Sequence, residues 1–309
     1  MQATRTFLQS LGLPPGDLYD RPASSKRFPD GAQYRVEIPS VEGPRALAAV
    51  LEEAESRQVL IHRISQGSGI MLLTDGEIRE MVRLGAEARI EVSLFVGPRA
   101  AWETGAQVLT PAGKNLGARH RGMEQLVYAI EDIKRACSLG IRSVLVADEG
   151  LLWVVGEMKR AGELPAELVC KISVQMGAAN PASVRLQEQL GAGTYNVPTD
   201  LDLSQLAAIR AAVDIPLDIY VEVPDNFGGF IRHYEIAEIV RVVAPVYVKF
   251  GLRNAPNVYP SGTHLEKTVI ALSRERVRRA EIGMAHLQRY YPQAITSERG
   301  AAGLVIPLV

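Results

Sequence analysis

Hydrophobic and polar positions along the chain follow two alternating patterns. Short apolar runs rich in β-branched residues, most of them bounded by Gly, Pro or Asn, are typical of strands. Each run is followed by a longer stretch with the periodicity of an amphipathic helix. The strand pattern occurs eight times, as YRVEIPS (34–40), VLIHRIS (59–65), IEVSLFV (90–96), SVLVADE (143–149), LVCKISVQ (168–175), GTYNVPT (193–199), LDIYVEV (217–223) and VYVKFG (246–251).

This alternation predicts a parallel sheet with helical crossovers, and eight units within the length of one domain predict that the sheet closes. We therefore expect an α/β fold, a single (β/α)8 barrel of the TIM type, over residues 34–291. An N-terminal arm, 1–33, and a C-terminal tail, 292–309, lie outside the repeat. The tail is apolar, so it either packs against the barrel's own helices or forms a contact in a homo-oligomer.

Three helix starts carry capping signals. Thr74 and Thr263 are each followed three residues later by Glu, which is the spacing of a capping box. Asn180 is followed by proline, which predicts an N-cap with Pro at the first helical position. The longest connections follow the third and eighth strands, at 97–122 and 252–263. Long loops at the catalytic end of a barrel are typical of lids and binding loops.

Composition narrows the class of protein. The chain has 309 residues, 47% apolar and 22% charged, with a formal net charge of -1. This balance predicts no nucleic-acid partner. No apolar run is long enough to cross a membrane and the N-terminus lacks a signal-peptide pattern, so we expect a cytoplasmic protein. Two cysteines are too few for a four-cysteine metal site.

Alternation along the strands predicts an unusually polar barrel interior. Residues two apart on a strand share a face, and the apolar face must meet the surrounding helices. Polar residues then point inward, among them Arg35, Glu37, Glu91, Ser93, Lys171, Ser173, Gln175, Asp218, Tyr220, Glu222, Tyr247 and Lys249. Buried charges seldom repay their desolvation as stability. They indicate either a functional site or a self-contained ion network.

Two pairings would satisfy such a network, Glu37 with Lys249 and Lys171 with Glu222. Asp218, near the start of its strand, is expected at the lower, stabilising end of the barrel together with Arg35.

One segment resembles a known family. KISVQMGAANPASVRLQEQLGAGTYNVPTDLDLSQLAAIRAAVDIPLDIYVEV (171–223) combines a strand of the type K-x-x-x-S/Q, an Asn-containing turn, a helix ending in E-x-L-G-A and the pattern L-x-L-x-x-L-x-x-I-R. In this order the motifs are similar to those of the peptidase U32 family, over about residues 168–251. The resemblance implies a barrel and, as one alternative, peptidase or hydrolase activity. Neither GxSxG nor HExxH occurs in the chain.

The sequence departs from that family after the seventh strand. Members carry there the first cysteines of a set of four, which bind an iron-sulfur cluster in several of them. Here the segment reads PDNFGGFIRHYE (224–235) and contains no cysteine. This departure from the family pattern therefore predicts no iron-sulfur cluster for this chain.

The inward residues predict acid-base chemistry on a small, carboxylate-bearing molecule. Lys171 or Lys249 would act as base or electrostatic anchor, with Glu37 or Glu222 as the partner. The residues expected to bind substrate are Arg63, Gln175, Asn196, Tyr220, Arg232 and Arg253.

Three alternatives stay open. In the first, Lys171 or Lys249 forms a Schiff base in a lyase reaction. In the second, Glu222, Asp225 and His233 hold a divalent metal such as Mg, Mn or Zn. In the third, the chain only binds a ligand or serves in an assembly.

Overall fold

The strands form a closed, all-parallel barrel in chain order from β1 to β8, as the sequence predicted. The computed structural model describes residues 1–102, 106–111, 113 and 116–309. The strands are β1 Tyr34–Pro39, β2 Arg63–Ser65, β3 Glu91–Phe95, β4 Ser143–Val146, β5 Val169–Ile172, β6 Ala192–Asn196, β7 Leu217–Glu222 and β8 Val246–Phe250.

Helices surround the barrel and follow its strands. They are α1 Gln2–Ser10, α2 Pro44–Ser56, α3 Asp75–Ala88, α4 Gly122–Ser138, α5 Glu149–Arg160, α6 Pro181–Gln189, α7 Leu203–Ala212, α8 Ile236–Val243 and α9 Glu266–Tyr290. The main apolar core lies between the outer face of the barrel and these helices. Among the described residues, no helix combines the length and the apolar character that a membrane span requires.

The capping predictions can be compared with the observed helix starts. The capping box of Thr74 and the N-cap of Asn180 are both present. The capping box predicted at Thr263 is wrong, because a short 3-10 helix, Thr263–Leu265, precedes α9 and leaves Leu265 as its N-cap.

Two strands differ from their predicted form in ways that matter for the interior. β2 is shorter than predicted, so Arg63 is its first residue and does not lie at its C-terminal end. The ladder between β7 and β8 shifts between Tyr220 and Glu222. Tyr220 is paired with Lys249, whereas Glu222 is paired with Phe250. This bulge turns Glu222 away from the barrel interior, where alternation had placed it.

The N-terminal arm and the C-terminal tail lie against the lower end of the barrel. Phe28 of the arm packs under Arg35, whose guanidinium carbon is 4.0 Å from the ring centroid. Arg35 also donates to the carbonyl of Ala302 at 2.7 Å, and the Val305 N–H donates to Glu91 Oε1 at 3.0 Å. The tail thus lies against its own barrel, and it binds charged residues that point into the lumen.

Candidate active site

Glu37 lies at the centre of a buried group of charges in the barrel. Its Oε2 is 2.5 Å from Arg63 Nη2 and 2.9 Å from Lys171 Nζ, and its Oε1 is 3.4 Å from Lys249 Nζ. Burial alone would raise the pKa of Glu37, but Arg63, Lys171 and Lys249 together lower it well below its usual value. The carboxylate therefore stays ionised and holds three cations on adjacent and opposite strands.

Asp218 is the second anion of this group. Arg63 Nη2 is 2.6 Å from Asp218 Oδ1, and Lys171 Nζ donates to Asp218 Oδ2. Arg63 Nη1 also lies 3.6 Å from Glu91 Oε2. Asp218 was expected at the stabilising end of the barrel, but it contacts the same lysine as Glu37. It takes the place predicted for Glu222 as the partner of Lys171.

Lys171 is enclosed by these groups. Burial, and then the nearby charge of Arg63, lowers the pKa of Lys171 to about 8, although Asp218 and Glu37 oppose the shift. The side chain is fully buried and does not line a cavity at the barrel mouth. Lys171 can influence chemistry through its neighbours, but it does not reach the open space above them.

A cavity of about 230 Å³, here called the mouth cavity, opens at the C-terminal end of the strands. Lys249 lines it, with Nζ 4.2 Å from the centroid of the Tyr220 ring. In the amide orientation that satisfies its neighbours, Asn196 accepts from Lys249 Nζ at 2.8 Å and donates to the Asp218 carbonyl at 3.1 Å. Lys249 therefore connects the buried charges with the cavity.

Three of the residues predicted to bind substrate line the mouth cavity, namely Gln175, Asn196 and Tyr220. Arg63 does not, because it begins β2 and lies among the buried carboxylates. The sequence thus located the polar lining on three strands or the turns after them.

The other two predicted arginines make local contacts outside the mouth cavity. Arg232 donates to the carbonyls of Thr199 at 3.2 Å and Leu201 at 2.9 Å. Arg253 has a side chain that is 54% exposed, and its Nε lies 3.4 Å from Asp225 Oδ1. Neither lines the mouth cavity.

The predicted metal ligands are not assembled as a site. Glu222, turned outward by the bulge, has Oε2 3.5 Å from His233 Nε2 and 3.7 Å from Arg279 Nε. Asp225 instead accepts from the Asn254 N–H. In the part of the chain that the structure describes, no three His, Cys, Asp or Glu side chains are grouped to hold a metal.

Arg99 and Tyr259 are among the residues of the mouth cavity that the sequence reasoning missed. Arg99, from the loop after β3, places its guanidinium carbon 3.7 Å from the Phe95 ring centroid and donates to the Gly67 carbonyl. Burial lowers the pKa of Arg99 to about 10. Tyr259, from the loop after β8, donates to Ser40 Oγ.

Both residues lie in the connections singled out for their length, so loop length was the available signal. Residues 103–105, 112, 114 and 115 of the 97–122 loop lie outside the described residues, and the prediction of a lid there stays a prediction.

The two cysteines do not supply a nucleophile. Cys137 and Cys170 are buried, and neither lines the mouth cavity. Burial raises the pKa of Cys137 to about 11 and that of Cys170 to about 12. Both thiols therefore stay protonated near neutral pH, where only the thiolate would attack.

Comparison with known proteins finds a match to one family model and solved structures that share the barrel fold. The model of peptidase family U32 matches residues 99–223. No curated protein matches the sequence. A solved structure described as a fructose-1,6-biphosphate aldolase from Coccidioides immitis is 16% identical, with 94% of this chain and 95% of that chain covered and a TM-score of 0.50. This similarity supports the barrel fold alone.

Two further solved structures are less similar in shape. The U32 peptidase Mk0906 is 19% identical, with 71% of this chain and 78% of that chain covered and a TM-score of 0.41. A dihydrodipicolinate synthase from Bacteroides thetaiotaomicron is 14% identical, with coverages of 86% and 85% and a TM-score of 0.43. The predicted resemblance to peptidase family U32 is confirmed by the family model over residues 99–223, on a (β/α)8 barrel.

Proposed function

We propose that this chain is an enzyme that acts on a small, carboxylate-bearing molecule in the mouth cavity, with Lys249 as the residue that contacts the reacting atoms. One observation carries the proposal. Lys249 is a buried amine that lines the cavity at the C-terminal end of a barrel, the end at which barrel enzymes hold their active sites.

Acid-base chemistry at Lys249 is supported by the carboxylate beneath it. Glu37 contacts both Lys249 and Lys171. Burial, and to a smaller extent the charges of Arg63 and Lys249, lower the pKa of Lys171 to about 8, so that amine can release or take up a proton close to neutral pH. Lys249, held by the same carboxylate, would be the amine that contacts the substrate.

The cavity also offers donors for a carboxylate. Arg99 lies at the mouth, and the amides of Gln175 and Asn196 line the same space. A guanidinium and amide N–H groups are the donors that recognise a planar carboxylate. The volume of about 230 Å³ suits a metabolite of a few heavy atoms better than a peptide segment.

The test is turnover of a panel of small carboxylates by the purified protein and by Lys249→Met. We expect the kcat of the variant to be lower by a factor of about 10²–10⁴, which is the range that a positioned acid-base group contributes. Lys267→Met, which changes an exposed lysine on α9, should retain kcat. Wild-type turnover by a correctly folded Lys249→Met protein would refute the assignment, and ligand binding without turnover would indicate a binding protein.

A Schiff base at the same amine is the second candidate, since a buried lysine facing a cavity can attack a carbonyl carbon. The amine adds to the carbonyl and water leaves, giving an imine that borohydride reduces to a stable secondary amine. Mass spectrometry after borohydride treatment with a 2-oxo acid would then find the adduct on Lys249. Hydrolysis of a peptide panel, without such an adduct, would favour the peptidase activity that the family name suggests.

A further inference from the structure

A second cavity of about 230 Å³, here called the side cavity, lies between the loops that follow β7 and β8. It adjoins the mouth cavity, because the same five residues line both. They are Ser40, Asn226, Phe227, Asn257 and Tyr259. A ligand could therefore extend from one cavity into the other.

Arg276 of α9 lines the side cavity and is only 4% exposed. Its Nη1 donates to the Ser40 carbonyl at 3.2 Å, and its Nε has no hydrogen-bond partner. Within the described residues, no carboxylate lies close enough to form an ion pair with this guanidinium. Most of its five N–H donors thus lack a protein acceptor.

Such an arrangement is costly without a ligand. A buried charge without a counter-ion is strongly unfavourable in a folded protein. Burial lowers the pKa of Arg276, and the neighbouring Tyr259 and Glu42 offset this only in part. Arg63, by contrast, contacts two carboxylates. Arg210 donates from both of its Nη atoms to backbone carbonyls, although its Nε also lacks a partner.

Arg276 differs in character from the other residues on the buried face of α9. The buried face of α9 consists otherwise of small, apolar or hydroxyl-bearing residues, namely Val269, Ser273, Val277, Ala280, Gly283 and Leu287. An arginine on that face is not needed to cover the barrel. Its guanidinium reaches the space above the strands instead.

We propose that Arg276 binds an oxyanion in the side cavity, and that the substrate carries two anionic groups, one in each cavity. The second half of this proposal rests on the proposed function at Lys249. Amides of Asn226 and Asn257 supply further donors in the wall between the cavities. Asp225 also lines the side cavity, but its carboxylate is 49% exposed and pairs with Arg253.

Calorimetric titration with inorganic phosphate and with acetate, each of which carries a single anionic group, tests this site directly. We expect the wild-type protein to bind at least one of the two anions, and the more tightly bound one identifies the oxyanion as a phosphate or a carboxylate. Arg276→Met should raise the Kd for that anion at least tenfold. Arg278→Met, which changes an exposed arginine on the same helix, should leave the Kd unchanged.

Thermal melting separates a ligand-binding role from a structural one. Without anions, Arg276→Met should melt no lower than the wild-type protein, because the substitution removes a buried charge that its neighbours offset only in part. With the anion, only the wild-type protein and Arg278→Met should gain stability. If Arg276→Met fails to fold, Arg276→Lys replaces it in the test. This variant keeps the charge but lacks the two-pronged donor geometry of a guanidinium, so its Kd for the anion should be several-fold higher than that of the wild-type protein.

Unchanged anion affinity in Arg276→Met or Arg276→Lys, or a wild-type protein that binds neither probe, would overturn the proposal. The outcome is independent of the chemistry at Lys249. Lys249→Met should still bind the anion that the wild-type protein binds. Loss of turnover in Lys249→Met and loss of anion binding in Arg276→Met are therefore separate results, and either can occur without the other.

Discussion

At the scale of single residues, Glu37 organises the interior of the barrel. Its strand is paired with β2 on one side and β8 on the other, and the register places it level with Arg63 and Lys249. Lys171 reaches the same carboxylate from β5 across the lumen. Barrel interiors are usually filled by branched apolar side chains. Here they are replaced by charges that stabilise the fold only as long as each retains its partners.

Removal of Lys171 should expose this dependence. We expect Lys171→Met to lower the free energy of unfolding by about 3–5 kcal/mol, because Glu37 and Asp218 would each lose a cation while staying buried. The measurement is urea denaturation followed by circular dichroism.

The matched double variant tests the mechanism. Asp218→Asn removes one of the two carboxylates, so in the Lys171→Met background it should cost clearly less than in the wild-type protein. Lys267→Met should have almost no effect. Strictly additive losses in the double variant would show that the two residues do not interact as the structure places them.

The sequence predicted the interior residues better than the rim. Glu37, Lys171 and Lys249 follow from strand alternation, because the period of two holds throughout a regular strand. Arg99 and Tyr259 lie on loops, where no period relates a position to the cavity. Arg276 did leave a signal, since it interrupts the apolar face of α9.

At the scale of elements, the bulge in β7 decides the position of Glu222. Up to Tyr220 the strand keeps its alternation, and Tyr220 lies beside Lys249. The shift before Glu222 then pairs it with Phe250 and turns its carboxylate towards His233 and Arg279. A one-residue shift reverses the face of every following side chain, and nothing in the residue types announces it.

The bulge gives a prediction that separates the two acidic residues. Glu222→Gln should change kcat less than about threefold, because this carboxylate lies outside the lumen, while Glu37→Gln should lower kcat by at least about tenfold through its contact with Lys249. Steady-state turnover on the substrate found for the wild-type protein measures both. Loss of activity in a folded Glu222→Gln protein would mean that the register of β7 differs from the one seen here.

At the scale of the whole molecule, the barrel has two unlike ends. The C-terminal end opens into the two cavities, whereas the arm and the tail cover the lower end and bind Arg35 and Glu91. Strand number and order could be predicted because each unit repeats a strong pattern. The path of the tail could not, since a short apolar run has no period that fixes its partner.

His62 holds the tail to the barrel. Its Nδ1 accepts from the Val36 N–H at 3.0 Å, so the neutral ring carries its proton on Nε2, which donates to the Ser297 carbonyl at 2.7 Å. Burial lowers the pKa of His62 to about 4. A second proton, on Nδ1, would break the contact with Val36.

This histidine should make the fold sensitive to mild acid. Between about pH 6.5 and 4 the unfolded chain binds a proton at His62 that the folded chain does not, so the free energy of unfolding falls as the pH is lowered through this range. A shift of the pKa of His62 from 6.5 to about 4 corresponds to a loss of about 3 kcal/mol in the free energy of unfolding, complete near pH 4.

Urea denaturation at several pH values should show this loss in the wild-type protein relative to His62→Gln, because the other titrating groups are common to both proteins and cancel. His264→Gln, at an exposed site, should follow the wild-type curve. Parallel wild-type and His62→Gln curves between pH 6.5 and 4 would show that His62 can take up its proton without releasing the tail.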